Sequence, residues 1–177
     1  MKVIESMIKG VKVIEPEIHE DQRGYFLETF QAKRYRDMLN LDIVFVQDTL
    51  SRSTHGVLRG LHYQQNYPQG KLIQVLRGEI FDVAVDIRRD SLTFGKWFSQ
   101  ILSEDNHKQI WIPRGLAHGF LVLSKSADVE YKFDEFYYPE DQRCLLWNDP
   151  EVNIDWPLGA PKLSDKDLKG KKLRELI

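Results

Sequence analysis

The chain has 177 residues, 42% of them hydrophobic, with 25 Lys plus Arg against 27 Asp plus Glu. A net charge of −2 gives no electrostatic footing on duplex nucleic acid or on a membrane surface. A single cysteine, Cys144, excludes an internal disulfide, and no apolar run approaches the ~20 residues of a spanning helix. The length suits one domain over 1–177, long enough to bury most of its apolar surface. The opening MKVIESMIKG lacks the apolar stretch and cleavage site of a signal peptide, so the expectation is a soluble, cytoplasmic protein.

Short apolar runs punctuated by turn residues dominate, the pattern of an all-β sandwich or barrel. Residues 2–5 and 11–16 read as strands separated by Lys9-Gly10. A polar turn over His19 to Gly24 follows, then a strand from Tyr25 to Phe30. Gln31 to Leu39 reads as a helix, with Tyr35, Met38 and Leu39 as its narrow apolar stripe. Ile43 to Gln47 returns to strand. Leu72 to Arg77 and Glu79 to Arg88 read as a strand pair turning at Arg77-Gly78. In the second of these, Phe81, Val83, Val85 and Ile87 face one way, and Asp82, Ala84 and Asp86 the other. Lys96 to Leu102, Gln109 to Ile112, His118 to Leu123 and Val129 to Phe136 complete the β portion. Ser164 to Asp167 precedes LKGKKLREL, which reads as a short capped helix interrupted by Gly170. No repeat, low-complexity tract or linker marks a domain boundary.

Chemistry concentrates in the stretch from Gly56 to Gln64 and in Gln69 to Leu72 just beyond it. Together they offer an anion clamp (Arg59), a titratable base (His62) and a second cation (Lys71). Gly60 lacks a Cβ, so a ligand or another strand can approach its backbone closely. Pro113 to His118 fits a P-x-G-x-x-H pattern, a hairpin motif of small cupin-type jelly-roll barrels. Metal-binding cupins usually supply an H-x-H pair, whereas this chain has His62-Tyr63-Gln64. His62 and His118 alone make a poor metal site, so no metal is expected. Proton chemistry remains: a histidine base, a tyrosine such as Tyr131 to return a proton, and Lys71 beside a developing oxyanion. These parts suit proton abstraction next to a carbonyl.

With those residues in place, the chain closely resembles the dTDP-4-dehydrorhamnose 3,5-epimerases, a metal-free cupin family of nucleotide-sugar enzymes. The resemblance runs through DQRGYFLETF (21–30), FVQD (45–48), GVLRGLHYQ (56–64), QGKLIQVLRGEIFDVAVDIRRDSLTFGKW (69–97), WIPRGLAHGFLVLS (111–124), EYK (130–132), WNDP (147–150), IDWP (154–157) and LSDKD (163–167). It implies an all-β, cupin-type jelly-roll barrel with a few short helices, and catalysis without a cofactor. His62 matches the family base, Asp167 its carboxylate partner, Tyr131 the acid and Lys71 the lysine near the sugar carbonyl. Arg23 and Arg59 match the arginines of the pyrophosphate site. Glu28 and Gln47 match residues lining the nucleotide pocket, and His118 is expected to line the sugar site. The substrate implied is a dTDP-sugar. A homodimer is also implied, with the N-terminal segment crossing to the partner.

Read without the resemblance, the same residues have ordinary explanations. Asp167 can be the acidic half of a capping box, Tyr131 a strand aromatic, Arg23 a solvated turn residue and Lys71 a surface lysine. Asp82 can mark a polar face, or support Lys71 or His62 inside the barrel. Two departures stand out: Thr49 where the family has asparagine after FVQD, and Leu92 in place of a proline. Three functions are therefore in play: epimerisation at both carbons flanking the sugar ketone, epimerisation at one carbon only, and a catalytically silent nucleotide-sugar-binding cupin.

Overall fold

The computed structural model describes residues 1–176. In chain order its strands are β1 (Lys2–Glu5), β2 (Lys12–Glu15), β3 (Ile18–Asp21), β4 (Gly24–Leu27), β5 (Gln47–Thr54), β6 (Leu58–Gln64), β7 (Lys71–Arg77), β8 (Glu79–Asp86), β9 (Trp97–Ser103), β10 (Gln109–Ile112), β11 (Leu116–Val122), β12 (Ser126–Phe133) and β13 (Gln142–Cys144). The helices are α1 (Ala32–Leu39) and one turn, α2 (Asp165–Leu168). None is long and apolar enough to cross a membrane.

Two antiparallel sheets lie face to face. One has the order β1-β2-β10-β7-β12-β5, the other β13-β6-β11-β8-β9, and β3-β4 form a separate hairpin arm. This is the all-β jelly-roll architecture expected. Between the sheets, Ile73, Val75, Ile110, Ile112 and Val129 meet Ile80, Ala84, Phe120 and Val122. Full burial of each Ile, Val or Phe among these contributes roughly 1.5–3 kcal/mol.

The alternation along β8 divides its side chains as expected. Ala84 joins the inter-sheet core, while Val83 and Val85 pack on the opposite face. There Leu145, Val152, Trp156 and Leu173 cover them. The outer face of the six-stranded sheet is closed by α1, whose Tyr35 and Leu39 pack on Ile14, Leu72 and Trp111. Gln31 caps that helix by accepting from Arg34 N, and Asn40 ends it in the left-handed region at φ 53°.

Several local expectations are corrected. β7 and β8 do not pair with each other; they belong to opposite sheets. Gly78, at φ +81°, takes the chain across, and an added Cβ there would lie 2.1 Å from Ser126 O. The Pro113 to His118 motif is likewise a crossing between sheets, with β10 in one and β11 in the other, rather than a hairpin. His19 to Asp21 are strand, paired with β4, and residues 43–46 are not. The strand instead begins at Gln47 and runs to Thr54 at the sheet edge. At the C-terminal end, helix is confined to α2 and a 3₁₀ turn over Leu173–Glu175, because Gly170 breaks the run between them.

Candidate active site

A cavity of about 350 Å³ opens between the two sheets. β5 supplies Gln47, Thr49 and Ser51; β6 supplies Arg59 and His62; β7 supplies Lys71; β11 supplies His118; and β12 supplies Tyr131 and Phe133. Alternation aims Gln47, Thr49 and Ser51 on β5, and Tyr131 and Phe133 on β12, inward, whereas Arg59 and His62, three residues apart, share the cavity because the β6–β11 register shifts between them. β6 and β11 come unusually close because both carry a glycine at the crossing. A Cβ on Gly60, at φ +124°, would sit 2.5 Å from Gly119 Cα. This close approach is the one anticipated for Gly60.

His62 and His118 are direct cross-strand partners. Each is bonded to a carboxylate. His62 Nε2 lies 2.6 Å from Asp167 Oδ1, and His118 Nε2 lies 2.8 Å from Asp82 Oδ2. Asp167 reaches the site because α2 packs on β6, and Ser164 Oγ accepts its backbone N–H at 3.2 Å. Ser164 thus caps the turn, and the Asp167 carboxylate is free to serve His62. Burial works to raise the Asp167 carboxyl's pKa, but the hydrogen bond and charge of His62, with Ser164, pull it below the usual range. Asp167 is therefore an anion at neutral pH.

His118 and Asp82 are both almost fully buried. Desolvation, joined by the Lys71 and His62 charges, holds the His118 imidazole below its ordinary pKa against the Asp82 carboxylate. A neutral His118 donating Nε2–H to Asp82 is the resulting state. The second oxygen of Asp82, Oδ1, is buried without a hydrogen-bond partner among the described residues.

Lys71 lies at the start of β7, 6% exposed, and its Nζ donates to His62 O at 3.2 Å. Its remaining donors are available to the cavity. Desolvation lowers its pKa to about 8, with the Asp82 charge resisting. Asp134 anchors the approach to Lys71 by accepting from Gly70 N at 2.5 Å and from Arg114 Nε at 3.0 Å. Tyr131 sits between His118, edge-on at 6.1 Å, and Phe133, stacked at 5.7 Å. Burial moves the Tyr131 phenol well above its ordinary pKa, so it is a proton donor and not a phenolate. The site holds a carboxylate-oriented histidine, a protonated tyrosine, a cation and a neutral histidine around one space. Such a set can take a proton from a carbon acid, stabilise the oxyanion that forms, and return a proton from another direction.

Of the residues singled out from sequence, His62, Lys71, Tyr131, Arg59, Gln47 and His118 line the cavity. Asp167 stands directly behind His62. Arg23 and Glu28 do not line it. Arg23 is on the exposed β3-β4 arm, where it pairs with Asp21, and Glu28 pairs with Arg34 of α1. Neither makes a nucleotide pocket within its own chain. Of the two departures, Thr49 lines the cavity, 3.3 Å from Gln47 Nε2, whereas Leu92 is fully exposed.

Sequence reasoning placed Gln69 beside Lys71 without a role, and missed Tyr137 and Gln142 at the cavity. Gln142 Oε1 accepts from Tyr137 Oη at 2.8 Å and from Lys166 Nζ at 2.6 Å, tying three chain segments together. No local pattern marks Gln142, since β13 is only three residues long. The approach of Cys144 to the His62–Asp167 pair was missed for the same reason.

The chain matches the dTDP-4-dehydrorhamnose 3,5-epimerase family over residues 5–175. It is 50% identical over 173 residues to the dTDP-4-dehydrorhamnose 3,5-epimerase of Shigella flexneri, covering 97% of this chain and 96% of the relative. Among solved structures it is similar to the Legionella pneumophila Philadelphia 1 dTDP-6-deoxy-D-glucose-3,5-epimerase in complex with dTDP-4-keto-L-rhamnose. The TM-score is 0.96 at 52% identity, covering 99% and 96% of the two chains. More distantly, a 3′-monoepimerase of Streptomyces bikiniensis in complex with dTDP-quinovose gives a TM-score of 0.90 at 33% identity, covering 96% and 86%.

Proposed function

Because the chain belongs to the dTDP-4-dehydrorhamnose 3,5-epimerase family, we propose that its cavity carries out that family's proton transfers with the residues described above. The protein is an isomerase: it converts dTDP-4-dehydro-6-deoxy-D-glucose to dTDP-4-dehydro-L-rhamnose. His62, oriented by Asp167, removes the proton from the carbon beside the C4 ketone. The electrons left behind spread onto the ketone oxygen, which becomes an enolate. Lys71 supplies a positive charge to that oxygen, and His118 lines the sugar site beside it. Tyr131 delivers a proton to the opposite face, which inverts the centre. A second cycle at the other flanking carbon completes the double epimerisation, and neither cycle needs a redox change.

The observation that carries this reading is the convergence of the His62–Asp167 pair, Tyr131 and Lys71 on one cavity. A binding module has no use for a carboxylate-oriented base opposite a protonated tyrosine. Arg59, on the cavity wall with Nε held by Ser53 Oγ at 2.8 Å, is suited to a diphosphate. Gln47 is suited to the nucleoside end.

Arg23 and Glu28 join the site across a homodimer. The arm that bears Arg23 leaves Tyr25 and Phe26 59% and 74% exposed, an apolar surface fit for a second copy of the chain. In this arrangement Arg23 reaches the partner's diphosphate. The reaction suits a cytoplasmic location, where nucleotide sugars are made.

The test is NMR of dTDP-4-keto-6-deoxyglucose incubated with the protein in D₂O. Deuterium should enter at both carbons flanking the ketone as the product forms. Label at one carbon only would identify a monoepimerase, the activity of the Streptomyces bikiniensis neighbour. No label at either would leave a binder.

A further inference from the structure

The thiol of Cys144 stands beside the proposed base. β13 pairs with β6 so that Cys144 is the direct cross-strand partner of His62. Its Sγ lies 3.9 Å from Asp167 Oδ1, the same oxygen that His62 Nε2 approaches at 2.6 Å. One ligand atom from each of His62, Cys144 and Asp167 falls within 4.8 Å of the others. Two sit on paired strands and the third on the capped turn packed against them, so the framework holds them at fixed spacing.

A nitrogen, a sulfur and a carboxylate oxygen form the mixed donor set of a tetrahedral Zn²⁺ site with three protein ligands and one open position. Zn–N and Zn–O bonds of about 2.0–2.1 Å and a Zn–S bond of about 2.3 Å require the His62–Asp167 contact to open and the Cys144 sulfur to draw in, by about an ångström. Hard cations such as Mg²⁺ prefer an all-oxygen shell and are disfavoured here.

We propose that His62, Cys144 and Asp167 form an inhibitory binding site for Zn²⁺ and similar thiophilic cations, which silences the enzyme by capturing its base. Binding forms Zn–Sγ, Zn–Nε2 and Zn–Oδ bonds. The thiol proton leaves to solvent. The imidazole gives up its Nε2 proton and is left with one on Nδ1, so one proton is released overall. Before binding, Nε2–H faces Asp167 and the Nδ1 lone pair is the acceptor; afterwards Nδ1 carries a proton and accepts nothing. The thiolate is the metal ligand, so binding must displace the thiol proton. Apparent affinity therefore rises with pH. Metal binding itself does not depend on the proposed mechanism; the loss of activity rests on His62 being the base.

The probes are Zn²⁺ for activity and Co²⁺ for spectroscopy, each titrated into the full-length protein in a non-coordinating buffer. One Co²⁺ per chain should bind with a thiolate-to-cobalt charge-transfer band. Zn²⁺ should abolish epimerisation, and EDTA should restore it. Cys144→Ala should bind Co²⁺ at least about tenfold more weakly, without the band. It should also keep its own metal-free rate at Zn²⁺ concentrations that silence the wild type. Cys144→Ser gives a second, near-isosteric variant with the same expectation. Absence of the thiolate band, or superimposable Zn²⁺ inhibition curves for wild type and both variants, would overturn the site. A thiolate band with undiminished activity would overturn the inhibitory assignment and point to a proton acceptor other than His62.

Discussion

Two histidine–carboxylate pairs lie side by side on adjacent strands, and their chemistry differs because their surroundings do. His62–Asp167 joins a strand to a distant one-turn helix, with the His62 side chain 25% exposed to the cavity. His118–Asp82 lies wholly within the five-stranded sheet, with side-chain exposures of 5% and 0%. Burial holds His118 down as a neutral imidazole, able to donate or accept a hydrogen bond but ill suited to gaining a proton. His62 has room to receive a proton and an anion behind it to stabilise the imidazolium. In the proposed mechanism the same two residue types thus yield one pair for moving protons and one for fixing position. Solvent access and the origin of the carboxylate decide which is which.

Mutation can break this contrast in order of effect. His62→Ala should lower turnover by roughly 10²–10⁴-fold, the range of general acid–base catalysis, in a steady-state epimerase assay. His118→Ala should lose less turnover and more substrate affinity. Tyr131→Phe should abolish inversion yet retain some solvent exchange, since His62 can return a proton to the face it came from. NMR in D₂O separates the two readouts. Asp167→Asn should cost less than His62→Ala, on the order of 10²-fold, because the imidazole stays in place with weaker basicity and orientation.

A milder change probes the second pair. The Lys71 ammonium, with its pKa near 8, should set an alkaline limb in the rate profile there. Asp82 is the charge that resists its deprotonation. Asp82→Asn should therefore move the limb to lower pH by about one unit, while Lys71→Arg should move it up.

The smallest effect has the opposite sign. The folded pKa of Lys71, about 8, lies below the ordinary 10.5. Between those values the unfolded chain binds more protons, so the wild type gains stability as pH rises through that window. Lys71→Met should lack that rise and be more stable near pH 7, on the order of 1–3 kcal/mol, although inactive. Thermal melts at pH 7 and pH 10 measure both.

Much of this contrast was legible in the chain, in unequal parts. The alternation in β8 assigns Asp82 and Ala84 to one face and Val83 and Val85 to the other, and the structure agrees. What alternation cannot say is that Asp82 meets His118, 36 residues away. Asp167 lies 105 residues from His62, in a Ser-x-x-Asp pattern that reads as an ordinary cap. Family resemblance, not local pattern, singled it out.

The two misread turns share one cause. Arg77-Gly78 and Arg114-Gly115 have hairpin composition, but a glycine at positive φ serves equally where the chain leaves one sheet for the other. β5 was missed because its edge position exposes most of it, and its order depends on partners such as Lys132 for Asp48 and Asp128 for Arg52. Arg23 was legible as a motif residue yet stands outside its own chain's cavity, on the exposed β3-β4 arm.

The central claim is that His62, and not its cross-strand neighbour His118, takes the substrate proton. Deuterium entry from D₂O at the carbons flanking the sugar ketone, followed by NMR in His62→Ala and His118→Ala side by side, tests it most directly. Exchange abolished in His62→Ala but persisting in His118→Ala is the predicted result. Wild-type exchange at both carbons in His62→Ala would contradict it.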